Sequence, residues 1–139
     1  MKIFSPLILS MLLLSACEKE DLAPKLRRET AEKIMGKWMV QRTINEVYDP
    51  RPGVGGKTET PGTADDYLDF KTKELVEIKS SQSSIKVESY TVWNPTQVMI
   101  GTVTWWIEKL TATELVLIWD RDGAAQYSRY VTRIYFTKT

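Results

Sequence analysis

The sequence predicts an all-β domain, an eight-stranded antiparallel up-and-down barrel preceded by a short helix. Three observations predict it. After Gly36 the apolar residues recur at every second position in eight short runs of nearly even spacing. No long helical pattern separates those runs, so neighbours in sequence pair as antiparallel neighbours in space. The links between them are short and rich in turn residues, which suits a barrel or a sandwich. The barrel is favoured because closing the sheet on itself leaves no free edge to pair with another chain.

The elements follow in chain order. Phe4 to Ala16 carries no charge, Lys2 supplies a positive start, and small residues precede Cys17. That is the layout of a secretory signal peptide, residues 1–16. The apolar stretch is too short to cross about 30 Å of hydrocarbon as an ordinary helix. Residues 17–27 read as a charged tether containing Pro24, and residues 28–139 as the barrel domain. Glu29 to Met35 reads as a helix stopped by Gly36 in the usual C-terminal position. Trp38, Val40 and Ile44 alternate with Lys37, Gln41 and Thr43 in a first strand. Residues 49–63, dense in Pro and Gly, read as a long loop, either a rim over the barrel mouth or disordered.

Tyr67–Thr72 is the second strand, with Leu68 and Phe70 on one face, and Glu74–Ser80 the third, with Val76 and Ile78. A polar cluster at Ser80–Ser84 turns the chain into Ile85–Trp93, which Asn94-Pro95 ends. Gln97–Ile100 and Val103–Leu110 flank Gly101. Thr113–Asp120 is the most apolar run, with Leu115, Leu117 and Trp119 on one face. Arg121-Asp122-Gly123 reads as a hairpin turn. Gln126–Lys138 closes the chain, with Tyr130, Ile134 and Phe136 on one face and Arg129, Val131, Arg133 and Tyr135 on the other.

Composition narrows the function. The chain has 19 Lys+Arg, 18 Asp+Glu and no His. Without Lys2 the remaining domain is formally neutral, so nothing points to nucleic acid. About 120 residues after the signal are enough for one core without staples. The commonest acid–base group and metal ligand is missing. Asp65, Asp66 and Asp69 lie close in sequence, but Asp65 and Asp66 point to different faces if extended; Asp120 and Asp122 read as part of a turn and supply too few oxygens for a calcium loop. The expectation is a non-enzyme with no catalytic residues, no metal and no cofactor.

Leu14-Ser15-Ala16-Cys17 resembles the lipobox of bacterial lipoproteins. The resemblance implies cleavage before Cys17, lipidation of its thiol, acylation of the new amine with a chain such as palmitate, and anchorage in the outer membrane. Glu18-Lys19-Glu20-Asp21 is similar to the export signal of Bacteroidetes lipoproteins that reach the cell surface; a solvated tether reads the same way.

Gly36-Lys37-Trp38, opening the first strand after a short helix, resembles the Gly-x-Trp signature of lipocalins. Together with the lipobox, and with Trp106–Leu117, it is similar to the lipocalin-like lipoproteins of Bacteroidetes. The resemblance implies that Trp38 plugs the closed end of the barrel and that an Arg near the end of the last strand packs over it. Arg133 is the first candidate and Arg129 the second. The family disulfide is missing and the chain is short for a lipocalin.

An eight-stranded barrel is either filled by side chains or holds one small ligand. Phe70, Val76, Ile78, Val87, Trp105, Leu117, Trp119 and Tyr130 are the candidate lining, with Arg42, Tyr90 and Tyr130 as candidate polar contacts. Trp105 and Trp106 must face opposite ways in a regular strand. Two functions remain open. One is a membrane-anchored module binding a small apolar or amphipathic ligand. The other is a filled barrel that docks an envelope protein through outward aromatics such as one of Trp105 and Trp106, with Tyr127 or Tyr135.

Overall fold

The computed structural model describes residues 22–123 and 128–139. One helix, α1 (Leu22–Ile34), precedes nine strands: β1 (Gly36–Tyr48), β2 (Gly56–Pro61), β3 (Tyr67–Phe70), β4 (Leu75–Ser80), β5 (Ser83–Asn94), β6 (Gln97–Ile100), β7 (Val103–Leu110), β8 (Glu114–Asp122) and β9 (Arg129–Lys138). All pairings are antiparallel: β1 pairs with both β2 and β3, each strand from β3 to β9 pairs with the next, and β1 also pairs with β9, so eight strands close a barrel. The expected lipocalin-like architecture is the one observed.

The ninth strand comes from the segment expected as a loop. Residues 56–61 pair with Arg42–Val47 of β1, and Tyr67–Phe70 pair with Gly36–Met39 on the same edge. Thus β2 and β3 are two halves of one barrel strand, interrupted by residues 62–66. The interruption is tied to β1 by Gly62 N–H donating to the Gln41 carbonyl at 2.9 Å, and by Val40 N–H donating to the Asp66 carbonyl at 2.9 Å. A Cβ on Gly62 would sit 1.9 Å from the Val40 oxygen, so only glycine fits this crossing. Composition hid β2: Lys57-Thr58-Glu59-Thr60 has no apolar face, and every residue of the strand is exposed. Backbone pairing to β1 and two exposed ion pairs across it, Arg42 with Glu59 and Lys57 with Glu46, hold it.

Helix α1 begins at Leu22, so residues 22–27 are helical rather than tether. Pro24 is tolerated because the first turn of a helix leaves its N–H groups without intrahelical partners. Arg27 Nε donates to the Val92 carbonyl at 2.7 Å, and Thr30 and Ile34 are buried against the barrel. Gly36 turns the chain from α1 into β1 with φ = 101°, a conformation that disfavours any residue bearing a Cβ.

The core lies inside the barrel at the helix end, around Ile34, Trp38, Phe70, Val76, Tyr90, Val98, Leu115 and Phe136. Phe70 and Tyr90 meet edge to face at 4.8 Å. The Tyr90 hydroxyl donates to the Thr72 carbonyl at 2.8 Å, and burial pushes this phenol above its ordinary range. Tyr90 is thus spent on the closed end and is not a ligand contact. Four strands carry register irregularities, at Val40/Arg42, Ile78/Ser80, Val92/Asn94 and Ile107/Lys109. Such bulges bend strands around a small barrel. They also reset the alternation read from sequence: beyond Val40 it is Thr43 that faces inward, and Ile44 turns outward. There it lies opposite Arg133 and is buried, as are Val131 and Val116 on the same outer face, where Arg133 pairs with Glu46 and Glu108.

Candidate functional site: a half-open cavity in the barrel

Residues directly opposite in an antiparallel pair project to the same side. The register therefore orders the inward side chains by height. Trp38 and Lys138 form the floor, paired across β1 and β9. Trp38 is fully buried, and its Nε1 donates to the Ile34 carbonyl at 2.7 Å. The cation above it is Lys138, whose Nζ stands 4.9 Å from the ring and donates to the Lys33 carbonyl at 3.2 Å. Arg133 does not take this place. It sits on the outward face of β9, where Nε donates to Glu108 at 3.1 Å. One position decides this: in β9 even-numbered residues face inward, and Arg133 is odd. Arg129 is outward for the same reason and pairs with Asp120.

Above the floor lies a cavity of about 440 Å³, open on one side. Its apolar wall comes from Val40, Leu68, Ile78, Ile100, Trp105, Leu117, Ile134 and Phe136. Its opening is bordered by Thr60–Gly62 and by the β4–β5 turn, Ser80 to Gln82. The opening exists because β2 pairs with β1 but not with β4. Asp66 ties the two sides of it: one carboxylate oxygen accepts from Thr63 N–H and the other from Ser81 N–H, each at 2.7 Å. Desolvation would raise the Asp66 pKa, but these hydrogen bonds outweigh it and hold the carboxyl below its ordinary value.

Of the expected lining, Ile78, Trp105 and Leu117 border the cavity. Phe70 and Val76 belong to the packed core. Val87 is misplaced by the sequence reading. It pairs with outward Glu77 and is 60% exposed, because the inward positions of upper β5 are Lys86 and Glu88, opposite Ile78 and Val76. Trp105 faces inward opposite Val98, and Trp106 faces outward, 48% exposed. Trp119 and Tyr130 face inward above the cavity, and Trp119 lies 5.9 Å from Trp105. Arg42 points outward and stacks over Tyr135 at 4.2 Å, so it is no ligand contact. Cys17 and Tyr127 lie outside the described residues.

Sequence reading missed Arg121. Strand β8 continues through Asp122, so Arg121 is a strand residue opposite Tyr130 and not part of a turn. Its guanidinium lies 4.3 Å from the Trp119 ring and 5.5 Å from the Tyr130 ring. The period-2 pattern Leu115, Leu117, Trp119 carried one step further would have found it.

Comparison of the chain with family models, curated proteins and solved structures finds no match.

Proposed function

We propose that this protein is a membrane-anchored lipoprotein whose lipocalin-like barrel binds one small apolar or amphipathic ligand, by equilibrium and without catalysis. The half-open apolar cavity carries the reading: about 440 Å³ falls within the range of small-molecule sites, which are mostly apolar with a few placed polar groups. A barrel built only for docking has no use for that space. The absence of His, and the assignment of Asp66 and Asp120 to structural ties, support binding over chemistry. The lipid anchor rests on Lys2, the uncharged Phe4–Ala16 stretch and the Leu-Ser-Ala-Cys ending.

Two experiments test the two halves. Titrating fatty acids, retinoids and haem while following tryptophan fluorescence reads the cavity through Trp105. A saturable change with one class is expected; silence from all of them removes the binding role. For the anchor, Cys17→Ser should move the protein from the membrane to the aqueous fraction, since each buried methylene contributes about 0.8 kcal/mol of membrane affinity. Unchanged membrane association would remove the lipoprotein assignment.

A further inference from the structure

The inward side chains change character along the barrel axis. Apolar Leu117, Ile134 and Phe136 line the lower wall. One layer higher, Thr132 Oγ1 and Asn45 Oδ1 lie 2.8 Å apart in a hydrogen bond. Higher still stand Tyr130 and Arg121, paired across β8 and β9. The inward face of β8, β9 and β1 thus grades from the apolar wall of the cavity, through neutral polar groups above it, to a cation at the top.

Other charges that face the interior are already paired. Lys138 covers Trp38 and donates to the Lys33 carbonyl. Lys86 and Glu88 form an ion pair with each other on upper β5. Asp66, on the far side of the opening, is spent on two backbone amides. No carboxylate of the described residues pairs with Arg121. Its contacts are the rings of Trp119 and Tyr130, which hold the guanidinium beside them and leave its N–H groups available.

From this we infer that the ligand is an anionic amphipath. Its hydrocarbon part lies in the cavity against Trp105 and Leu117, and its carboxylate, or a comparable anionic head, meets the Arg121 N–H edge at the mouth. A planar guanidinium placed beside two aromatic rings suits bidentate recognition of a carboxylate. Trp119 links the two parts, touching Trp105 of the cavity wall on one side and Arg121 on the other. The Asp66 charge repels the same head group and helps direct it toward β8. This inference rests on the binding role and deepens it.

The test compares three probes of equal chain length on the chain from residue 17 onward carrying Cys17→Ser: dodecanoate, dodecanol and dodecyltrimethylammonium, at pH 8. Binding is followed by calorimetry and by tryptophan emission. Dodecanoate should bind tightest. Arg121→Gln should weaken dodecanoate by about ten- to a hundredfold, the worth of a hydrogen bond to a charged group, and leave dodecanol unchanged. Arg121→Lys should retain part of the preference, and Lys86→Gln should change nothing. Thermal unfolding of each variant checks that the barrel is intact. Equal affinity for dodecanoate and dodecanol, or an equal loss of both in Arg121→Gln, overturns the anion site while the binding role stands. Binding of none of the three overturns both.

Discussion

Trp38 Nε1 donates to the Ile34 carbonyl at 2.7 Å, which ties the last turn of α1 to the barrel floor within one short stretch of chain. Lys138 closes the arrangement from the far end of the sequence by standing over the same ring. Helix, first strand and last strand therefore meet on one indole, and this is where the barrel should be most sensitive. Trp38→Ala should cost about 3–5 kcal/mol, as for other large core truncations. Trp38→Phe retains much of the volume but leaves the Ile34 oxygen without its donor, and should cost about 1–3 kcal/mol. Lys138→Gln should cost about 1 kcal/mol. Urea unfolding followed by far-UV circular dichroism measures all three, and Lys138→Gln matching Trp38→Ala would contradict this ranking.

Gly62 sits at a tight crossing in the barrel wall. With the Val40 oxygen 1.9 Å from where a Cβ would stand, Gly62→Ala must push the crossing away from β1. Overpacking of this kind costs about 1–3 kcal/mol. The damage should be local, because β2 has no buried side chains. Hydrogen exchange should speed up at the amides of residues 56–62 while those of β8 and β9 stay protected. Uniform loss of protection would mean that β2 is part of the cooperative core.

Leu117 faces the cavity and is almost fully buried. Leu117→Trp places a larger ring in existing space, so it should fold with at most a modest loss of about 1–3 kcal/mol and abolish ligand binding. Leu117→Ala should cost about 2–5 kcal/mol and enlarge the cavity. Paired stability and binding measurements separate the effects. Ligand affinity unchanged in the Trp variant would place the ligand elsewhere.

Acid should loosen the ties of two carboxylates. The Asp66 carboxyl is held below its ordinary value in the folded protein, so its tie to Thr63 and Ser81 is complete above the unfolded Asp range and is lost as pH falls through the folded value. Asp49 behaves in the same sense: its hydrogen bonds from the Arg51 side chain and backbone hold it at about 2. Carboxyl-carbon NMR titration should show both groups titrating below ordinary aspartates. Asp66→Asn should speed exchange at the Ser81 amide at neutral pH, and a wild-type rate there would show that the tie does not hold the opening.

Residues whose neighbours along the chain decide their conformation were legible in the sequence. Gly36 ends a helix, Trp38 opens a strand, and Leu115, Leu117 and Trp119 share a face, each a matter of local period and turn chemistry. Two errors came from reading residue type instead of facing. Val87 was placed inward for its apolar side chain, yet register sets it opposite outward Glu77; Arg133 was placed over Trp38 by family likeness, although the alternation of β9 already puts it on the face opposite Ile134 and Phe136. The bulge at Val40/Arg42 is the slip that turns Ile44 outward. Strand β2 was missed because it buries no side chain: its pairing rests on backbone groups, which are the same in every residue, and on exposed ion pairs that leave no apolar alternation.

The sequence by itself determined that the chain folds as short antiparallel strands behind an N-terminal helix, because alternation and turn residues act over a few positions. Only the tertiary structure decided that the barrel keeps an open space, that Lys138 covers the floor and that Arg121 stands at the mouth. Those outcomes depend on contacts between residues far apart in the chain, such as Trp38 with Lys138, and on how much volume the inward side chains leave once every strand is in register.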